Sequence, residues 1–497
     1  MKRVYANLAL LSLLSISFSF FLPTAFSRTK LTSPTATLDV SGSLQNTRGV
    51  LSFDPQSQTS FSEQEQEQEQ RQKQTSSGSF SVRLHPRESL VRTPYREYKA
   101  LVLARLGRDS ARVDALASKL NLALNNVTRT DLTPLRTEIQ PEDLSTPVVS
   151  GTSQGSGRVL LAHRRRHSGE AVLHGARTPG ATSTGLQCQP CTDCYQQTDP
   201  VFTPSSSSSY TALTCESPQC GSLEVSACRT GKCLYQVSYG DGSFTVGDFV
   251  TETVSFGDSG AVNNVALGCG HDNEGLFMGS AGLLGLGGGP LSLTKQVKAS
   301  SFSYCLVDRD SSKSSTLDFN SAAPGAESVF APLVKNGKVD TFYYVGLTGM
   351  SVGGKTVSIP PSLFQMDESG DGGIIVDSGT AITRLQTQAY NSLRDAFVKL
   401  TPDLKSTSGV ALFDTCYDFS SLSSVQVPTV SFQFTGGRSL ALPAKNYLIP
   451  VDSAGTFCFA FAPTTSSLSI IGNVQQQGTR VTFDLANSRV GFTPNKC

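Results

Sequence analysis

The residues best suited to chemistry lie in Gly372-Gly373-Ile374-Ile375-Val376-Asp377-Ser378-Gly379-Thr380. Its β-branched apolar run predicts a short buried strand. An acidic residue and Ser-Gly follow at once, the composition of a tight turn. A carboxylate at the end of a buried strand is costly unless partners or a reaction employ it. The plain alternative is an Asp that caps its own turn. Asp377 is therefore a candidate acid–base group, and the rest of the chain must supply what surrounds it.

The chain has 497 residues, room for two or three domains. A net charge of +1 offers nothing global to attract nucleic acid or an anionic membrane. Charged residues make up only 16%, while Gly, Ser and Thr are abundant, which suggests a β-rich protein. At the amino end, Lys2 and Arg3 precede an apolar run from Leu8 to Leu22, and Ala25-Phe26-Ser27 offers small residues at cleavage-type spacing. This predicts a secretory signal peptide over residues 1–27. No later stretch is long and apolar enough to span a bilayer. Twelve cysteines follow, all between Cys188 and Cys497, an even number that favours disulfides on a secretory chain. Cys188, Cys191 and Cys194 have a zinc-like spacing, but no histidine follows nearby and the compartment is oxidising.

The supporting elements fall in order along the chain. Residues 28 to about 75 are Ser/Thr-rich, then alternate Glu and Gln from Ser62 to Gln74, a composition that predicts disorder. Tyr95 to Leu106 and Val113 to Leu124 have helical spacing, and Asn126-Val127-Thr128 is a glycosylation sequon. A basic helical stretch between a signal peptide and a β-rich body reads as a prosegment that would cover an acidic cleft until removed. A plain linker is the alternative. From about residue 186 the pattern is short strands and turns. Leu234 to Tyr239 alternates and meets Gly240-Asp241-Gly242-Ser243, a hairpin signal. Thr341 to Val352 reads as a strand pair. Thr387 to Leu400 reads as a helix with Tyr390, Leu393, Phe397 and Leu400 on one face. Val481 to Leu485 and Arg489 to Phe492 flank a turn. A weak repeat links Gly282-Leu283-Leu284-Gly285 with Ser469-Ile470-Ile471-Gly472.

Several of these segments together resemble the pepsin-like aspartic proteases of plants, of the nepenthesin type. The carriers are the Cys188–Cys233 segment, Tyr239-Gly240-Asp241-Gly242-Ser243, Gly268-Cys269-Gly270-His271, Phe302-Ser303-Tyr304-Cys305-Leu306, the Asp377 loop and Ile470-Ile471-Gly472. The resemblance implies an all-β, bilobal fold with a few short helices and a cleft between lobes. It implies a prosegment over 28–150, an amino-terminal lobe over 151–328 and a carboxy-terminal lobe over 329–497. Each lobe would place an apolar-apolar-Gly strand beside a catalytic loop. Two aspartates would share one proton, because adjacent ionised carboxylates repel. The ionised one would activate water for attack on a peptide bond, and the protonated one would polarise the carbonyl. The resemblance further implies that Ser378, Gly379 and Thr380 support catalytic Asp377, that Tyr239 is the flap tyrosine, and that Cys416 pairs with Cys458. No metal or cofactor is needed. The expected partner is a protein or peptide substrate, with no nucleic acid and no membrane, for a monomer in the extracellular space or vacuole.

One element of that pattern is missing. A D-T-G-S motif should precede Leu186, near Arg177-Thr178, yet Arg158 to Gly185 contains no Asp. This stretch also carries Arg164-Arg165-Arg166-His167 and fits neither strand nor helix. Codons for Arg177 to Gly185, regrouped by one base, permit D-T-G-S-D-I-N-W. Codons for Arg158 to Ala176, in the other shifted frame, permit E-Y-F-S-R-I-G-V-G-T-P-A-R-Q-F-Y-M-V-L. The two readings total one residue fewer than the stretch present, the signature of three single-base insertions. The sequence thus predicts an aspartic endopeptidase by family that is inactive as it stands. A non-catalytic binding or inhibitor-like protein on the same fold is the alternative.

Overall fold

The computed structural model describes residues 34–52, 79–86, 93–125, 159–161, 175–178, 183–197, 200–238, 243–256, 259–274, 281–311, 313–320 and 324–497. The predicted signal peptide, the sequon, the basic run at Arg164 and the flap candidate Tyr239 lie outside them. Ten elements frame the site. In chain order they are β1 (Thr35–Asp39), α1 (Val40–Ser52), β2 (Phe80–Pro86), α2 (Tyr98–Leu124), β3 (Gly175–Thr178) and β4 (Gly282–Gly285). Then come β5 (Ile374–Val376), α3 (Thr387–Lys399), β6 (Ser424–Pro428) and β7 (Ser469–Ile471).

The fold is the expected all-β one. A nine-stranded sheet runs from β3 through β4 to the Phe244–Ser255/Ala261–Glu274 hairpin and on to Val225–Arg229. Lys232–Ser238 pairs antiparallel with Phe244–Ser255, as the alternating pattern predicts, while residues 239–242 of the turn signal lie outside the described residues. A twelve-stranded sheet runs from the β5–β7 region through the Thr479–Asp484/Arg489–Pro494 hairpin to Ser301–Cys305, Ser315–Phe319, β2 and Val159–Leu161. The main core lies against it. Phe302 and Phe483 stack with ring centres 4.5 Å apart, and Tyr343 packs 4.6 Å from Phe483. The helix read from Tyr390, Leu393 and Phe397 is α3, with these three buried.

All twelve cysteines are bonded: Cys188–Cys269, Cys191–Cys194, Cys215–Cys228, Cys220–Cys233, Cys305–Cys497 and Cys416–Cys458. The zinc-like trio is thus spent on disulfides.

Three local readings need correction. Residues 35–52, within the stretch whose composition predicts disorder, form β1 and α1. Few apolar residues suffice there because Leu38 and Val40, 1% and 0% exposed, are buried against the carboxy-terminal lobe. The two helical patterns before the sequon are one continuous helix, α2. Thr341–Val352 is two strands, but they do not pair with each other. Tyr344–Val345 joins β5, whereas Leu347–Val352 joins Val430–Phe434. The chain turns between sheets at Gly346, where a Cβ would press on Pro332 and Thr435.

Candidate active site

Asp377 sits where β5 leaves the sheet. β5 is at most 1% exposed and pairs in parallel with β7, in the register Ile374↔Ser469, Ile375↔Ile470 and Val376↔Ile471. The Asp377 amide continues that ladder by donating to the Ile471 carbonyl at 3.1 Å. The turn then folds back onto its own carboxylate. Gly379 N–H donates to Oδ1 at 3.2 Å, and Thr380 donates to Oδ2 from its amide at 3.0 Å and its hydroxyl at 2.7 Å. Asn473, just after β7, braces the loop by donating to the Ser378 carbonyl at 2.9 Å. Ser378 Oγ is buried with no hydrogen-bond partner among the described residues. Gly472 lets this strand end approach, since a Cβ there would lie 2.6–2.7 Å from the backbone of Ile382 and Thr383.

The remaining partner of Asp377 comes from α2, 265 residues away in sequence. Arg112 grips the carboxylate with two bonds, Nε to Oδ2 at 2.8 Å and a terminal nitrogen to Oδ1 at 2.9 Å. This planar, two-pronged arrangement is the strong form of a charged hydrogen bond. The guanidinium lies over the loop so closely that a Cβ on Gly379 would meet it at 2.7 Å. Asp377 is 0% exposed. Burial alone would raise its pKa, but Arg112 and the bonds from Thr380 and Gly379 outweigh burial and hold it below the ordinary value.

Other ties fix α2 on either side of this contact. One turn earlier, Asp109 accepts from the Ala381 amide and from Arg384 at 2.6 Å. Burial pushes the Asp109 carboxyl up, against the pull of Arg384 and of the Ala381 and Ile382 amides. Near the start of α2, Arg105 and Tyr98 both donate to Asp310, at 2.8 and 2.6 Å. Farther along, Lys119 pairs with Glu224. Apolar residues straddle the ionic contact. Leu101, Val102 and Leu106 pack with Ile382 and Val474, whereas Val113, Leu116 and Leu120 pack with Phe342, Tyr344 and Ile375. No residue of this helix was marked as a site residue by sequence; the basic character of the stretch was the one signal available.

Among the described residues, none of the groups bonded to Asp377 is a carboxylate. The repeat shows where a second loop would start. β4 pairs in parallel with β3 in the register Gly282↔Gly175, Leu283↔Ala176, Leu284↔Arg177 and Gly285↔Thr178. Superposing Gly282-Leu283-Leu284-Gly285 on Ser469-Ile470-Ile471-Gly472 sets Arg177 at the backbone position of Val376. Thr178 then falls at that of Asp377.

Two parallel strand pairs of this kind, one in each of the two large sheets, match a pepsin-like architecture, and comparison with known proteins gives the family. The chain belongs to the pepsin-like aspartic proteases of plants. It is 44% identical over 428 residues to Protein ASPARTIC PROTEASE IN GUARD CELL 2 of Arabidopsis thaliana, covering 85% of this chain and 88% of that one. It is 51% identical to Aspartyl protease family protein 2 of Arabidopsis thaliana, over 80% of this chain and 81% of that one. It is 40% identical to Aspartic proteinase nepenthesin-2 of Nepenthes gracilis, over 71% and 80%. The xylanase inhibitor N-terminal family model matches residues 179–320, and the xylanase inhibitor C-terminal model matches 342–494. Conglutin gamma from lupine seeds shares the fold, with a TM-score of 0.54 and 19% identity over 68% of this chain and 91% of that one.

Proposed function

We propose that this chain is the precursor of a secreted aspartic endopeptidase by descent, and that with residues 158–185 as they stand it cleaves no peptide bonds. The observation that carries this is the partner set of Asp377 among the described residues: one arginine, two amides and one hydroxyl, with no second carboxylate to share a proton. A lone aspartate can draw a proton from water, but nothing then protonates the substrate carbonyl. Asp377 is the surviving catalytic residue, Ser378, Gly379 and Thr380 support it, and Tyr239 is the flap. α2 is the prosegment element that occupies the cleft side of Asp377. Twelve bonded cysteines support a secretory destination, extracellular or vacuolar, and the substrate class is protein or peptide.

The loss arises in the stretch read out of frame. The start of the amino-terminal family match at residue 179 supports this reading. Sequencing the transcript and genomic DNA across the codons for Arg158 to Gly185 tests it directly. Absence of the insertions gives a chain with D-T-G-S, whose acid protease activity disappears in Asp377→Asn. Their presence in both gives the inactive product. Proteolysis by the present chain at any pH would refute the proposal. A second reading, a non-catalytic inhibitor-like protein, draws support from the xylanase-inhibitor names of the two family models. Binding of a statine-type peptide at Asp377 would distinguish an endopeptidase cleft from this alternative.

A further inference from the structure

The amino-terminal segment makes an attachment that the cleft does not require. β1 lies antiparallel on β6 in an unbroken five-residue register, from Thr35↔Pro428 to Asp39↔Ser424. Among the described residues β6 has no other ladder partner, so β1 alone covers that strand edge. The ladder is extended at both levels of structure. The amides of Val40 and Ser41 donate to the Ser423 carbonyl at 3.0 and 3.1 Å, and Gln426 donates from its side chain to Thr37 at 2.7 Å. Leu38 and Val40 are buried in the same core cluster as Val427, Tyr447 and Leu448.

α1 then locks the segment in place. Asp39 turns the chain into the helix by accepting from the Gly42 amide at 2.9 Å, while Ser43 donates back to the Asp39 carbonyl at 2.6 Å. Thr47, fully buried, hydrogen-bonds Ser453 at 2.9 Å. Val50 packs with Ile449 and Val451, and also with Tyr98 and Leu101 of α2. Residues 53–79, which hold the Glu/Gln alternation, separate this segment from β2. Covalent connection through a stretch of that length raises the effective concentration of the segment at its seat.

We propose that the β6 edge and the adjoining apolar seat are a peptide-docking surface of the carboxy-terminal lobe, and that Thr35–Ser52 is its occupant and stays bound without a covalent connection. The surface reads an extended backbone with apolar side chains at the positions of Leu38 and Val40, followed by a short helix. It is strand addition by main-chain hydrogen bonds, with specificity from the buried side chains. A cut between residues 53 and 79 therefore yields a two-chain protein rather than a trimmed one.

The test uses the full chain with a site-specific protease sequence placed within residues 62–74. After cutting, the amino-terminal fragment is expected to co-elute with the body on non-denaturing gel filtration. Excess labelled synthetic peptide spanning 34–52 is expected to exchange into the seat. The same peptide with Leu38→Asp and Val40→Asp is expected to exchange at least about 100-fold less, as loss of two buried anchors requires. Because these changes are in the peptide, the folding of the body is untouched. Elution of the fragment apart from a folded body, or equal exchange by both peptides, overturns the proposal. A second readout separates this attachment from the contact at Asp377. Amide exchange of Thr35–Asp39 in Arg112→Gln should match that of the parent chain. Release of β1 together with α2 would show one joint latch instead of an independent docking site.

Discussion

Replacing Arg112 by Gln removes the positive charge and one of the two bonds to Asp377 while preserving much of the side chain. The carboxylate left behind is 0% exposed and keeps the Gly379 and Thr380 donors with at most one uncharged bond from the Gln amide. Breaking a buried pair by removing one partner typically costs about 3–5 kcal/mol. The Arg112 side chain retains 15% exposure, so water can relieve part of the loss, and the lower end of the range, about 3 kcal/mol, applies. That corresponds to roughly a 150-fold shift toward the undocked state of α2. Amide hydrogen exchange across Tyr98–Leu124 at neutral pH reads this shift, because α2 amides should exchange faster by about that factor when opening precedes exchange. Protection in α3, whose buried face belongs to the main core cluster and not to the two clusters that hold α2, should change little. Arg112→Lys should fall between, since it keeps the charge and loses the two-pronged geometry. If α2 exchange in Arg112→Gln stays within about threefold of the parent, the ion pair does not hold the helix down and the argument fails.

Further predictions concern the same loop. Asp377 has a pKa held below its ordinary 3.8, so its pairing stabilises the folded chain above that value and is lost as pH falls through the depressed one. The stability gap between the parent and Arg112→Gln should be full at pH 6 and should narrow below about pH 4, as denaturant titrations at each pH would show. Gly379→Ala should displace the Arg112 guanidinium, which its Cβ would otherwise meet at 2.7 Å, and should raise α2 exchange without lowering the melting temperature of the carboxy-terminal lobe. Gly472→Ala meets backbone rather than a flexible tip, so it should destabilise that lobe by about 1–3 kcal/mol, measurable by thermal unfolding. Replacing residues 158–185 by the regrouped segment with D-T-G-S should restore acid proteolysis of a denatured protein substrate, and Asp377→Asn in that background should abolish it.

The legible parts of this molecule were those whose signal is local. β5 and its Asp-Ser-Gly turn announce themselves by a β-branched run meeting a turn. α3 does so by the spacing of Tyr390, Leu393 and Phe397, and the final hairpin by two strands around Ala486-Asn487-Ser488. The repeat at Gly282 and Ser469 is readable because two like strands do like work, each lying parallel to the strand that leads into a candidate loop position. What escaped depends on contacts across long separations. The Arg112–Asp377 pair spans 265 residues, and no periodicity of α2 distinguishes Arg112 from its other basic residues. β1 and α1 escaped because burial there is supplied by the opposing lobe, so composition alone under-reports it. Apart from Cys416–Cys458 the disulfide pairings stay open in the sequence, since partners depend on how strands such as Val225–Arg229 and Lys232–Ser238 lie together or on long-range closure, as in Cys305–Cys497.

β2 has a consequence for any maturation of this chain. It lies between Ser315–Phe319 and Val159–Leu161, paired residue for residue with the former from Phe80↔Phe319 to Leu84↔Ser315. Excising the first 150 residues therefore takes a slat out of the twelve-stranded sheet, not a ribbon off its outside. The bereft strand Ser315–Phe319 would then offer a raw, sticky margin beside fully buried Leu317 and Phe319, the kind of edge on which chains polymerise. Closing that margin after such a cut would take another strand in the vacated place, and Val159–Leu161 is the next one along the sheet.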